Sequence, residues 1–177
     1  AFHIAAHAFG KITLFFAAGA ILVAAHKTEV SQLDGIGWRM PWTMGAFAIA
    51  SLSMIGLPPT AGFISKWYMV QGAWQADQIF VLAVLLGSTL LNAGYFFPIV
   101  IRGFFRAAPT ADDAEAGHHA LPSGEASPWM VVPLCLTAAL AVVFGIFPDF
   151  PLPFFELARN IARDVFAGSA AMLPPAP

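Results

Sequence analysis

The 177 residues are 59% hydrophobic and 10% charged, with a formal net charge of −2. Soluble domains run at about 45–50% apolar and about 25% charged residues, so this composition excludes an ordinary water-soluble fold and places the chain in lipid. No basic stripe is present with which to bind nucleic acid, which excludes that partner class.

Asp, Glu, Lys and Arg are absent from Met40 to Ser65, from Gln78 to Ile101 and from Ala126 to Pro148. Each interval reaches the roughly 20 residues that a helix needs to cross the hydrocarbon core. The fourteen prolines and fifteen glycines do not oppose this, because neighbouring helices and trapped water satisfy the backbone groups they free. The sequence therefore predicts an all-α, polytopic transmembrane helix bundle of about five membrane helices, one of them broken at Gly56 to Pro59, followed by a C-terminal interfacial helix.

In chain order, the first helix covers Ala1 to Ala25 and ends at the polar run His26, Lys27, Thr28, Glu29. Ala1 to Ala6 already read as helix interior, with no charged start or cleavage site of a signal peptide, so the chain is expected to begin within a longer protein. Asp34-Gly35-Ile36-Gly37 supplies turn chemistry, and a second helix starts at Pro41 and runs to Ile55. At Gly56-Leu57-Pro58-Pro59 the helical ladder must break, since adjacent prolines lack two backbone donors and bar the residues before them from helix.

A third, short helix is expected from Ala61 to Trp74 and a fourth from beyond Asp77-Gln78 to Arg102 and Arg106, bent at Pro98. Ala107 to Ser127 has no apolar period and reads as a solvated loop. The fifth helix runs from Trp129 to Phe147 and is closed by Pro148, Pro151 and Pro153. Residues 1–148 thus form the bundle, and residues 149–177 an interfacial amphipathic helix and a disordered tail, Leu173 to Pro177. In that helix Leu157, Ile161 and Val165 recur at intervals of four opposite Arg159, Asn160 and Arg163. Alternating five crossings would place Lys27, Arg39, Arg159 and Arg163 on one side and Arg102 and Arg106 on the other.

Lys11 stands near the middle of the first helix, several turns from either polar boundary. A lysine at such depth costs at least about 2.5–3.5 kcal/mol on insertion scales, so it needs compensation or must release its proton. His3 and His7 precede it at intervals of four and share its face, each about 6 Å from the next, close enough for a bridging water. Histidine titrates in the range that suits a relay. Against this stand histidines merely satisfied at helix contacts and a Lys11 that snorkels to the surface.

Lys66 follows the Pro58-Pro59 break by seven or eight residues, about 11 Å of helix. It either reaches into the membrane, where a broken helix offers free backbone groups and a terminal dipole, or snorkels outward beside an aromatic belt of Trp67 and Tyr68. Ser88, Thr89, Asn92 and Tyr95 read as interhelical hydrogen-bonding groups more readily than as pathway. Glu29, Asp34 and Asp77 fall at helix boundaries as solvated charges. Cys135, the single cysteine, has no disulfide partner or metal spacing and reads as a small apolar packer. His118-His119 offers at most an adventitious metal site, so no metal or other cofactor is expected.

The run His3-Ile4-Ala5-Ala6-His7-Ala8-Phe9-Gly10-Lys11-Ile12-Thr13-Leu14-Phe15-Phe16 strongly resembles the large antiporter-like subunits of Mrp Na⁺/H⁺ antiporters, respiratory complex I and membrane-bound hydrogenases. Gly56-Leu57-Pro58-Pro59-Thr60-Ala61-Gly62-Phe63-Ile64-Ser65-Lys66-Trp67 is similar to that family's broken-helix signature. Leu33 to Pro41 looks like the family's link, and Leu91 to Ile99 looks most like its Mrp D-type members.

The resemblance implies a protein of about fourteen spans in two inverted halves with a midplane chain of ionisable residues. Lys11 would be the relay lysine of the second half, His3 and His7 its neighbours, and Lys66 the terminal lysine. The glutamate and lysine of the family's first half have no counterpart in this chain, and Gly10 replaces a commonly larger residue, leaving room for water.

The expected function is therefore that of the C-terminal portion of a proton-translocating subunit in a multi-subunit Na⁺/H⁺ antiporter of a bacterial plasma membrane. Its partners would be other membrane subunits, H⁺, Na⁺ and the lipid bilayer. One alternative is a proton-pumping subunit of a complex I-like quinone oxidoreductase or hydrogenase. The other is a non-transporting structural fragment. Nothing in the chain pairs a nucleophile with a base or forms a phosphate loop, so no independent catalysis is expected.

Overall fold

The computed structural model describes residues 2–107, 124–149 and 153–171. Most of the predicted solvated loop and the whole predicted disordered tail, Leu173 to Pro177, lie outside the described residues. Among the described residues all regular structure is helical. The helices are α1 (Phe2–Ala25), α2 (Ile36–Arg39), α3 (Pro41–Ile55), α4 (Ala61–Gln75), α5 (Ile79–Phe105), α6 (Pro128–Ile146) and α7 (Phe154–Ala171). The five expected membrane helices are α1, α3, α4, α5 and α6, and the chain is an integral membrane protein: α1, α5 and α6 are each long and apolar enough to cross a bilayer.

Small residues set the packing of α1. Ala6, Gly10, Thr13, Ala17 and Ala20 form its buried face, which lies against α3 and α6. Such residues let helix backbones approach closely where lipid supplies no hydrophobic drive between helices. Thr13 and Thr137 bring their hydroxyl oxygens to 2.8 Å across the α1–α6 contact. Ile36, Met40, Met44 and Leu134 are fully buried in one core cluster. Gly10 does not leave room for water as the sequence reading expected. It is buried against Met54 and Ser53, and a Cβ there would lie 3.2 Å from the Met54 sulfur.

The segment joining α1 to α3 is more ordered than its turn chemistry indicates, holding a 3₁₀ turn at Val30–Gln32 and the short α2. It closes the end of α5. Gly35 N–H donates to Arg102 O at 3.1 Å, and Trp38 Nε1–H donates to Phe104 O at 2.9 Å. Both carbonyls belong to the last turn of α5, where intrahelical donors run out. Asp34 pairs with Arg102 at 3.3 Å and Arg106 at 3.7 Å, so it is not the free solvated charge that its boundary position implies.

Those pairs also overturn the expected division of charges between the two sides. Arg102 and Arg106 lie at the same end of the bundle as Asp34, and hence with Lys27 and Arg39. The reason is length: α3 and α4 have 15 residues each, about 22 Å of helix, which falls short of the roughly 30 Å core. They share one passage, interrupted at Gly56 to Pro59, so the described helices α1, α3 with α4, α5 and α6 make four passages.

α3 begins with a cap that comes from distant sequence. Glu125 accepts the Trp42 N–H at 2.9 Å and the Thr43 hydroxyl at 2.5 Å. Position 125, within the loop read as solvated, is thus fixed to the first turn of a membrane helix. At the other end of the bundle α7 packs Ala158 against a small cluster of Phe2, Ala6, Ala61 and Phe144. Its Leu157, Ile161 and Val165 remain exposed.

Candidate functional site

α1 carries His3, His7 and Lys11 on one face, as their spacing requires. The His3 and His7 ring centroids stand 5.7 Å apart. His3 Nδ1 lies 2.6 Å from Ser65 Oγ on α4, a hydrogen bond that ties the start of α1 to the helix after the break.

Lys66 does not snorkel. Its ammonium turns back to the end of α3 and donates to Met54 O at 2.9 Å, Ile55 O at 2.9 Å and Thr89 Oγ1 at 3.2 Å. These three bonds use every N–H of a protonated lysine. The two carbonyls are available because α3 stops at Ile55, leaving its last C=O groups without intrahelical donors and at the negative end of the helix dipole.

Local sequence explains the stop. Gly56 has φ +89°, a conformation that favours glycine, and a Cβ at Gly56 would lie 2.6 Å from Lys66 Cδ. Glycine is thus needed both for the backbone turn and for the lysine stem. Pro58 and Pro59 then deny the donors that a continuing helix would use. Gly62 is needed for a different reason: a Cβ there would stand 1.8 Å from Ser53 O, so only glycine lets α4 approach α3 this closely.

α5 supplies groups that the sequence reading treated as interhelical hydrogen bonding. Thr89 accepts from Lys66 and donates onward to Leu85 O at 3.1 Å. Asn92 Nδ2 donates to Met54 O at 3.3 Å, the carbonyl Lys66 also uses, and the Tyr95 hydroxyl donates to Asn92 Oδ1 at 2.6 Å. These groups are both glue and site, since α5 packs beside the break.

A cavity of about 360 Å³ joins the two sets. His3, His7, Lys11 and Lys66 all line it, together with Ser53, Ser88, Asn92 and Tyr95. The four basic residues read as pathway candidates therefore reach one space. None of the described residues lining it is acidic. Lys11 stands at its open edge, exposed and with no hydrogen-bond partner among the described residues. Its depth along α1 is as expected, but its side chain is not enclosed. His3 also borders a second, more open space of about 590 Å³ under α7, lined by Phe2, Ser65, Tyr68 and Arg159. Ser53 is the residue that sequence reasoning missed; nothing in an apolar helix distinguishes one serine from its neighbours.

Residues 1–92 match the family model described as the transmembrane family of NADH:quinone oxidoreductase and Mrp antiporters. The chain belongs to this family. It is similar to NADH-quinone oxidoreductase subunit N of Desulforudis audaxviator, 40% identical over 153 residues that cover 83% of this chain and 30% of that one. Another family relative is hydrogenase-4 component B of Escherichia coli, 29% identical over 82% of this chain and 22% of the other.

Among solved structures, the fold is shared with the Mrp complex from Dietzia sp., with a TM-score of 0.70 and 23% identity. That match covers 82% of this chain and 34% of that one. Respiratory complex I from Thermus thermophilus gives a TM-score of 0.65 and 24% identity over 85% of this chain and 33% of its own. The chain thus spans about a third or less of the length of the family members it matches.

Proposed function

We propose that this chain is the C-terminal portion of a proton-translocating subunit in a multi-subunit monovalent cation (Na⁺)/H⁺ antiporter. It would work in a bacterial plasma membrane with other membrane subunits, and α7 would lie along the lipid interface on its exposed apolar face of Leu157, Ile161 and Val165. The carrying observation is the convergence of His3, His7, Lys11 and Lys66 on one cavity beside a helix broken inside the bundle. Protons pass along these groups through water, and Lys66 moves between the α3 carbonyls and the cavity as it gains and loses its proton. A cavity with four basic residues and no acid among the described residues needs counter-charge from elsewhere, which fits a pathway completed by the rest of a longer protein.

The test is Lys66→Ala and Lys11→Ala in the full complex, with cation/proton exchange followed in everted vesicles. Exchange should be abolished in each. Unchanged exchange in both variants sinks the reading.

A second reading is favoured by the 40% identity to a NADH-quinone oxidoreductase subunit N. There the same residues move protons, but quinone reduction drives them. Proton uptake that starts on electron donor addition, without any cation gradient, selects this reading over the antiporter.

A further inference from the structure

We propose that Ser53 is a positioning residue of the proton pathway: its hydroxyl fixes a water in the cavity between the basic groups of α1 and Lys66 of α4. The inference rests on the reading of this cavity as a proton path. Ser53 is 3% exposed, and its Oγ is the single buried side-chain oxygen or nitrogen among the described residues without a hydrogen-bond partner. In a helix a serine hydroxyl commonly donates back to the carbonyl one turn earlier. Ser51, two residues away, does so with Phe47 O at 2.8 Å, whereas Ser53 does not.

Leaving a buried hydroxyl unpaired is unfavourable, and native structures compensate such groups with protein or ordered water. Ser53 lines the cavity, so water is the available partner. The space of about 360 Å³ has room for about ten waters at liquid density, and each needs two to four polar partners. Gly62 faces the hydroxyl from α4, and a Cβ there would come to 3.1 Å from Ser53 Oγ. The hydroxyl itself is buried, but Ser53 and Gly62 both line the cavity, so the absent Gly62 side chain spares the space beside it for one tightly held water.

Chemistry assigns the role. A hydroxyl both donates and accepts, so it holds a water in one orientation without adding charge to a space that already collects four basic groups. Lys66 has its donors committed to α3 and α5, and Lys11 has no described partner. An oriented water at Ser53, one residue from the Met54 carbonyl that Lys66 holds, bridges the interval between them. The proton moves from one water to the next and Ser53 ends each transfer unchanged.

The decisive variant is Ser53→Ala in the full complex, measured beside Lys66→Ala. A purely structural hydroxyl without a partner predicts that alanine leaves stability unchanged or raised and transport intact. The water-positioning role predicts unchanged or raised thermal stability of the assembled complex together with transport lowered about tenfold, the effect of one lost hydrogen bond in the transfer step.

Wild-type transport in Ser53→Ala, or loss of assembly, overturns the inference. If Lys66→Ala abolishes exchange while Ser53→Ala does not change it, only this inference fails. If neither variant changes exchange, the proton-path reading fails with it.

Discussion

Lys66 Nζ lies 2.9 Å from the carbonyl oxygen of Ile55, so the interruption that ends α3 also creates the acceptor that keeps the lysine inside the bundle. Without the break those carbonyls would be bonded within the helix and the amine would have no counterpart at this depth.

Gly56→Ala should disturb both functions of that position. A non-glycine residue in the left-handed region costs roughly 1–2 kcal/mol, and the added carbon meets the Lys66 stem at 2.6 Å. The assembled complex should melt at a lower temperature and exchange more slowly. Gly87→Ala is the control, since a Cβ at Gly87 meets nothing within 4 Å; it should leave the melting temperature unchanged or slightly higher.

Thr89 provides the acceptor for Lys66 that does not come from α3. Thr89→Val keeps the shape and removes the hydroxyl, and exchange should slow by up to about tenfold, the effect of one hydrogen bond. Thr89→Ser restores the oxygen and should recover most of the rate. Equal rates in Val and Ser variants would show that this contact does not matter to transfer.

Glu125 caps α3 through the Trp42 N–H and the Thr43 hydroxyl. Loss of a capping side chain costs about 0.5–2 kcal/mol, and a carboxylate there also meets the positive end of the helix dipole. Glu125→Ala should lower thermal stability in detergent, with Glu125→Gln intermediate. The break and the cavity lie at the far end of α3, so exchange per assembled complex should hold in both.

Much of the site was legible in one dimension because helical periodicity is local. The spacing of His3, His7 and Lys11 puts them on one face of any α-helix, and Gly56, Pro58 and Pro59 break a helix wherever they occur. The ends of α3 were read at Pro41 and Ile55, as found, because proline and glycine act on their own backbone. The capping role of Glu125 and the pairing of Asp34 with Arg102 were not legible. Both partners come from segments more than 60 residues away, and nothing local distinguishes a carboxylate with such a partner from one in water. The crossing count behind the charge sorting failed for a related reason: two short helices read as two spans until packing shows that they share one passage.

The order of residues alone requires that this chain lives in lipid as helices, that one helix is broken, and that His3, His7, Lys11 and Lys66 are the groups needing explanation. Those follow from composition, from periodicity and from the energy of burying charge, none of which needs a neighbour. Tertiary structure decided where each amine goes. Lys66 is held inside by carbonyls of α3 and a hydroxyl of α5, Lys11 stands at the open edge of the same cavity, and Ser53 faces it unpaired. Such choices depend on which helix faces lie against one another, and that is fixed by the close approach of small residues between helices distant in the chain.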